Sequence, residues 1–157
     1  MGIESTFKSG TVTQRVAAFR TRLDKAVEFR LQYMGEELAK YAKESHTYTD
    51  RTGNLTNSIG YAVVRNQKIV HYGGNDQPGE GSEKALEVMR EYAETLTSTY
   101  SLIVVAGMNY AAYVEAKGYN VILPAELRAK TEFPQVMAKL RKAANAKAAE
   151  LFGNDVI

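Results

Sequence analysis

The alternation of apolar and polar positions divides the chain into helical and extended stretches. From Val16 through Phe19, Leu23, Val27, Leu31, Met34 and Leu38 to Tyr41, apolar residues recur at spacings of three and four. Arg20, Arg22, Lys25, Glu28, Glu36, Glu37, Lys40 and Lys43 fall mostly between them. The spacing predicts one long amphipathic helix from about residue 12 to about residue 45, opened by a capping box in which Thr11 and Gln14 satisfy the first backbone N–H groups. Such a helix is roughly 50 Å long, against roughly 35 Å for the diameter of a compact domain of this size. Part of its apolar stripe then overhangs and needs another subunit to cover it. The alternative is a helix that breaks near Gly35 and folds back.

Residues 1–10 show no apolar period and end at Ser9-Gly10, which predicts a flexible N-terminal arm and leaves 11–157 as a single domain. Residues 46–57 are polar and turn-forming. Ser58 to Val64 and Lys68 to Tyr72 are short β-type runs separated by Arg65-Asn66-Gln67, the pattern of a hairpin. Residues 73–81 form a loop by composition; a phosphate-cradling role is disfavoured because no GKS or GKT ending follows and Glu80 and Glu83 repel an anion. Ser82 is expected to cap a helix with Leu86, Met89, Ala93 and Leu96 inside and Glu83, Glu87, Glu91 and Glu94 in water.

Tyr100 to Ala106 is apolar on both faces, the mark of a central strand. Gly107 ends it, and Asn109 caps a short helical turn from Tyr110 to Glu115. Tyr119 to Leu123 reads as extended up to Pro124, and a last helix is predicted from about Pro134, placed in its first turn, to Phe152, with Gly153 just past its end. The expected architecture is α+β: a long N-terminal helix, a small antiparallel sheet, two further helices and a short helical turn.

Composition removes several functions. With no cysteine there is no disulfide, thiolate metal site or cysteine nucleophile. His46 and His71 stand alone, which fits turn or surface roles, so no metal and no cofactor is expected. A net charge of +2 is too small to argue for nucleic acid, although the chain is zoned: residues 1–45 carry +2, 46–116 carry −3 and 117–157 carry +3. No apolar run of membrane-spanning length and no secretory signal is present, so synthesis in a cytoplasm with no membrane partner is expected. No nucleophile–base–acid set assembles; a hydrolase using Glu115 with Asp50 would need one deep pocket holding both. Ten tyrosines without a tryptophan, with Tyr110, Tyr113 and Tyr119 close together, point to interface and core packing.

Two stretches carry more than composition. Asp50-Arg51-Thr52-Gly53-Asn54-Leu55-Thr56-Asn57-Ser58-Ile59, followed well downstream by Val104-Val105-Ala106-Gly107-Met108-Asn109-Tyr110-Ala111-Ala112-Tyr113-Val114-Glu115, resembles the head–tail joining, or neck and tail-completion, family of long-tailed bacteriophages. In that family a "TG.L..SI" element opens the first strand, and a strand ending in glycine is followed by "YA.YVE" and a further glycine. Thr52, Gly53, Leu55, Ser58, Ile59, Gly107, Tyr110, Ala111, Tyr113, Val114, Glu115 and Gly118 occupy those positions. The family continues with an "FGT" type turn before a proline-rich segment, where this chain has Ala116-Lys117-Gly118-Tyr119-Asn120-Val121-Ile122. The resemblance implies a structural virion protein and not an enzyme, made in the bacterial host. It implies a hexameric or dodecameric ring between a portal-side connector or adaptor and the tail proteins, with DNA passing through the lumen without specific binding. Under it, Gly53 permits a tight turn, Ser58 bonds nearby backbone, Tyr110 and Tyr113 seat the short helix on the strand, and Glu115 pairs with a neighbouring subunit's Arg or Lys. The alternative reading is a nucleic-acid-binding accessory protein using the basic C-terminal helix.

Overall fold

The computed structural model describes residues 9–75 and 77–153. Helix α1 (Ser9–Glu44) runs unbroken for 36 residues, roughly 54 Å. It passes straight through Gly35, which is not a hinge but a notch. A Cβ there would lie 2.2 Å from Cδ2 of the fully buried Tyr61, so only glycine lets the helix settle on that ring. The helix already includes Ser9 and Gly10, so Thr11 and Gln14 sit inside it and do not cap it. The flexible arm expected over residues 1–10 therefore loses its last two residues to α1, and the rest of it lies outside the described residues.

A one-turn helix, α2 (Asn54–Asn57), leads into strand β1 (Ile59–Arg65), which turns into β2 (Lys68–Gly73). Asn66 and Gln67 both have positive φ, 50° and 66°, the two-residue turn whose twist suits an antiparallel hairpin. The pairing slips by one residue between Val63 and Val64, a bulge that leaves Val70 without a Cα partner in the register. Helix α3 (Glu80–Ala93) follows, two residues earlier than its expected cap. Ser82 is inside the helix, its hydroxyl donating to the Gly79 carbonyl, and Gly79 at φ 143° makes the entry.

Strand β3 (Tyr100–Ala106) falls where the pattern placed it, but it is not central. The sheet order is β2-β1-β3, all antiparallel, with β1 in the middle and almost wholly buried. The reason is layering. Helices cover both faces of the sheet, so a strand at the edge is as apolar as one at the centre. On one face α1 packs with the last helix over Tyr61, Val63, Leu102 and Val104; on the other α3 packs over Ala62, Val64, Ile103 and Val105.

After a short helix α4 (Ala111–Ala116), helix α5 (Leu123–Phe152) occupies 30 residues. The extended piece expected before Pro124 is absent; that proline belongs to the first turn of α5, and Pro134 lies in the helix interior, not at its start. The far halves of α1 and α5 pair. Phe19 meets Phe152 edge-on at 5.7 Å, and Arg15 donates to the Leu151 carbonyl at 2.9 Å. The overhang foreseen for α1 is thus partly covered by the chain's own last helix. The cover is thin: none of residues 10–26 is buried, nor any residue of α5 beyond Ala125, and Val12 and Val16 stay nearly half exposed.

Candidate functional site

The two motif segments meet at one end of the sheet. Asp50 builds the first. Its carboxylate accepts from the backbone N–H of Gly53 at 3.0 Å and of Thr56 at 2.8 Å, folding the α2 turn around itself. Gly53 takes φ 77°, a left-handed geometry that suits glycine, and the Thr52 hydroxyl accepts from Asn54 N–H. Leu55 is buried in the main core. Ser58 is fully buried; its hydroxyl donates to the Leu55 carbonyl at 2.7 Å, and its own carbonyl accepts from Gly107 N–H at 3.0 Å. That last bond ties the first motif to the second.

The glycines at this joint work by absence. A Cβ on Gly107 would lie 2.4 Å from the Ala85 nitrogen, and one on Gly81 would lie 2.4 Å from the Asn54 carbonyl oxygen. Both let α3 press backbone to backbone against the motif turns. Tyr110 extends the joint by hydrogen-bonding the Thr52 side chain; burial raises its hydroxyl pKa, the Asp50 charge adds to that, and the Thr52 bond opposes it. Tyr48 reaches in from the loop after α1 to share a 3.0 Å hydrogen bond with the Thr56 hydroxyl. Its pKa is also raised, first by burial, with the Thr56 bond opposing and the charge of Asp50 reinforcing.

One expected role changes, and another residue proves to have a role within the chain. Tyr113 does not seat α4: it is 65% exposed, with the Lys117 ammonium 5.2 Å from its ring centroid. Met108 and Ala111 do the seating, both buried. Glu115, half-buried, is engaged by the backbone of its own chain. Its carboxylate accepts from the backbone N–H groups of Val121, Ile122 and Leu123 at 3.2, 2.8 and 3.2 Å, which makes it the cap of α5 from one helix away. Gly118, at φ 90°, turns the chain between the two helices, and Asn120 ties that turn to Thr47 and Ser45.

Glu115 lines a shallow groove of about 520 Å³ with Ala106, Ala111, Val121 and Glu126, and Asp50 is not among the groove's lining residues. Both acids that a hydrolase would have used are engaged by backbone N–H groups. His71 bonds the Tyr61 hydroxyl at 2.9 Å, which donates to Glu36 at 2.6 Å, and His46 bonds the Lys43 carbonyl. Among the described residues no cluster of three or more His, Asp or Glu could hold a metal, and no helix is long and apolar enough to cross a membrane.

Sequence reasoning missed Tyr48 and the capping role of Glu115. It also missed Phe29 and Tyr33, which stand exposed on α1. Their signal was present as apolar residues out of phase with the buried stripe. Comparison with known proteins finds no matching family model, no matching curated protein and no matching solved structure.

Proposed function

We propose that this chain is a structural protein of a tailed bacteriophage particle, one that forms a ring at the head–tail junction through which DNA passes. The observation that carries the reading is the joint. Thr52, Gly53, Leu55, Ser58, Gly107 and Tyr110, the residues of the resemblance, belong to one connected piece of architecture that holds the sheet to its helices. Such a joint is a reason for two distant motifs to travel together in a scaffold. Asp50 and Glu115 are engaged in capping backbone N–H groups, which supports a scaffold over an enzyme. The thin α1–α5 pair, with Val12 and Val16 partly in water, supports assembly; a hexamer or dodecamer seated between a portal-side connector or adaptor and the tail proteins is what the resemblance implies. In this reading the protein is made in the host cytoplasm and ends in the virion, and the DNA in the lumen makes no tight phosphate contacts, since these would hinder its passage. Light scattering over a range of concentration and salt, with negative-stain imaging, tests it: closed rings are expected, and a chain that stays monomeric with its connector present overturns it.

One observation favours the second reading, a nucleic-acid-binding accessory protein. The antiparallel pairing of α1 with α5 brings the cationic ends of the chain together, so that Arg20, Arg22 and Lys25 lie on the helix beside the one carrying Lys139, Arg141 and Lys142. Monomers that bind duplex DNA with a steep salt dependence would favour it.

A further inference from the structure

Strand β3 lies at one side of the sheet, with β1 on its inner edge only. The Gly107 N–H donates to the Ser58 carbonyl, and the Thr99 carbonyl accepts from the Asn66 N–H. In that register the odd-numbered residues of β3 turn their backbone groups toward β1. The N–H and C=O groups of Tyr100, Leu102, Val104 and Ala106 therefore point the other way, and among the described residues no strand pairs with them. Such a row of donors and acceptors is a template for one more extended segment.

Beside this edge lies a groove of about 610 Å³, with Leu102 and Val104 of β3 on one side, Ala125, Ala129 and Phe133 of α5 on the other, and Met34 of α1 also in its lining. Glu126 and Lys130 belong to the lining too, but they pair with each other at 2.9 Å, which leaves the groove mainly apolar. Helix α5 thus flanks the place that a fourth strand would take. A strand arriving with helices of its own would crowd α5, so the occupant that suits the groove is a bare extended segment, held by main-chain hydrogen bonds and by alternate side chains.

Such a segment precedes α1, and α1 carries it away from its own sheet. In residues 2–8, which lie outside the described residues, the large apolar side chains are Ile3 and Phe7, which share one face of an extended backbone and leave Glu4, Thr6 and Lys8 on the other. The Tyr100 hydroxyl at the start of β3 donates to Asp24, and Ser9 lies roughly 22 Å further along the helix. Fully extended, residues 3–8 cover roughly 20 Å, which brings them at best to the mouth of their own groove and not along it. We propose that residues 2–8 of one copy of this chain pair as a fourth strand with the outer edge of β3 in the next copy, with Ile3 and Phe7 entering the groove beside α5. Segment and groove lie on different parts of the subunit, so the contact is head-to-tail, the kind that closes into a ring when its rotation permits. The inference rests on the ring reading and names its contact.

Two variants separate donor from acceptor. Deleting residues 2–8 removes the donor and leaves the groove, whereas Ala129→Trp fills the groove and leaves the donor; unchanged circular dichroism and melting confirm that each folds. Each alone is expected to run as a monomer by light scattering, and their equimolar mixture to stop at one-to-one pairs, since a pair has used its one donor and its one groove. In wild-type rings the amides of Leu102 and Val104 are expected to exchange with solvent about tenfold more slowly than in the deletion variant, a readout that needs no substitution in the groove. Rings formed by the deletion variant as readily as by the wild type, a mixture without pairs, or equal exchange at those two amides overturns this contact and leaves the ring reading standing. A wild-type chain that stays monomeric with its connector present overturns both.

Discussion

Replacing Gly35 by alanine sets two effects of opposite sign against each other. In the middle of a helix the change ordinarily stabilises by about 1 kcal/mol, because glycine gives up more backbone freedom on folding. Here the new methyl would lie 2.2, 2.5 and 2.8 Å from Cδ2, Cγ and Cε2 of Tyr61, so helix and ring must part by about 1 Å to reach ordinary contact near 3.5 Å. Tyr61 has little room to yield: it is fully buried, and its hydroxyl is held between Glu36 and His71. Overpacking of this kind costs about 1–3 kcal/mol and more where neighbours are fixed. Clash should therefore outweigh propensity, for a net loss of about 1–3 kcal/mol. For a chain of this length that lowers Tm by about 2–4 °C per kcal/mol. Thermal and urea unfolding followed by circular dichroism read it directly, and the Tyr61→Ala background supplies the control, since without the ring the same methyl should cost little or stabilise. A Gly35→Ala protein as stable as the wild type, or the same loss in both backgrounds, would refute the notch.

Other residues give shorter tests. Glu115→Ala should cost about 1–2 kcal/mol, with faster hydrogen exchange confined to the amides of Val121, Ile122 and Leu123, and Glu115→Gln should cost less; exchange unchanged there would remove the capping role. The Tyr48 hydroxyl titrates above its ordinary value of 10.0 in the folded chain, so the unfolded chain releases that proton first. Stability is then unaffected by this group below pH 10, falls as pH rises from there toward the raised folded value, and falls less steeply in Tyr48→Phe, as alkaline urea titrations would show. Pro134→Ala restores an N–H to the interior of α5 and should stabilise by about 1–3 kcal/mol; an unchanged urea midpoint would refute this.

The parts of this fold that a periodic pattern can carry were readable. The long apolar stripe of α1, the existence of the hairpin and the bounds of β3 follow from spacing, whereas Arg65, expected in the connection, pairs with Lys68 as the last residue of β1 and leaves Asn66-Gln67 as the turn. Sideways relations were not. β3 is apolar on both faces because helices lie above and below it, and nothing in that pattern says whether a further strand bonds its outer edge. Pro134 looked like a helix start because its proline chemistry fits one, while the true start at Leu123 is set by a carboxylate eight positions upstream, a contact made through space. The motif residues were found, but Tyr113 and Glu115 exchanged their expected relations to water: the aromatic faces out and the acid faces in. The mild charge zoning along the chain understated the surface, because the fold lays one basic end beside the other.

That pairing of ends also sets an order of events during synthesis. Arg15 and Leu151 stand 136 positions apart, so α1 waits for its companion until all the elements between them have emerged from the ribosome. Through that interval the sheet and α3 can form around the near half of α1, while the far half carries its apolar stripe bare. A chain cut short before α5 would keep the three strands but bare the Leu102 and Val104 face of β3 together with that stripe, a ready handle for chaperones and proteases.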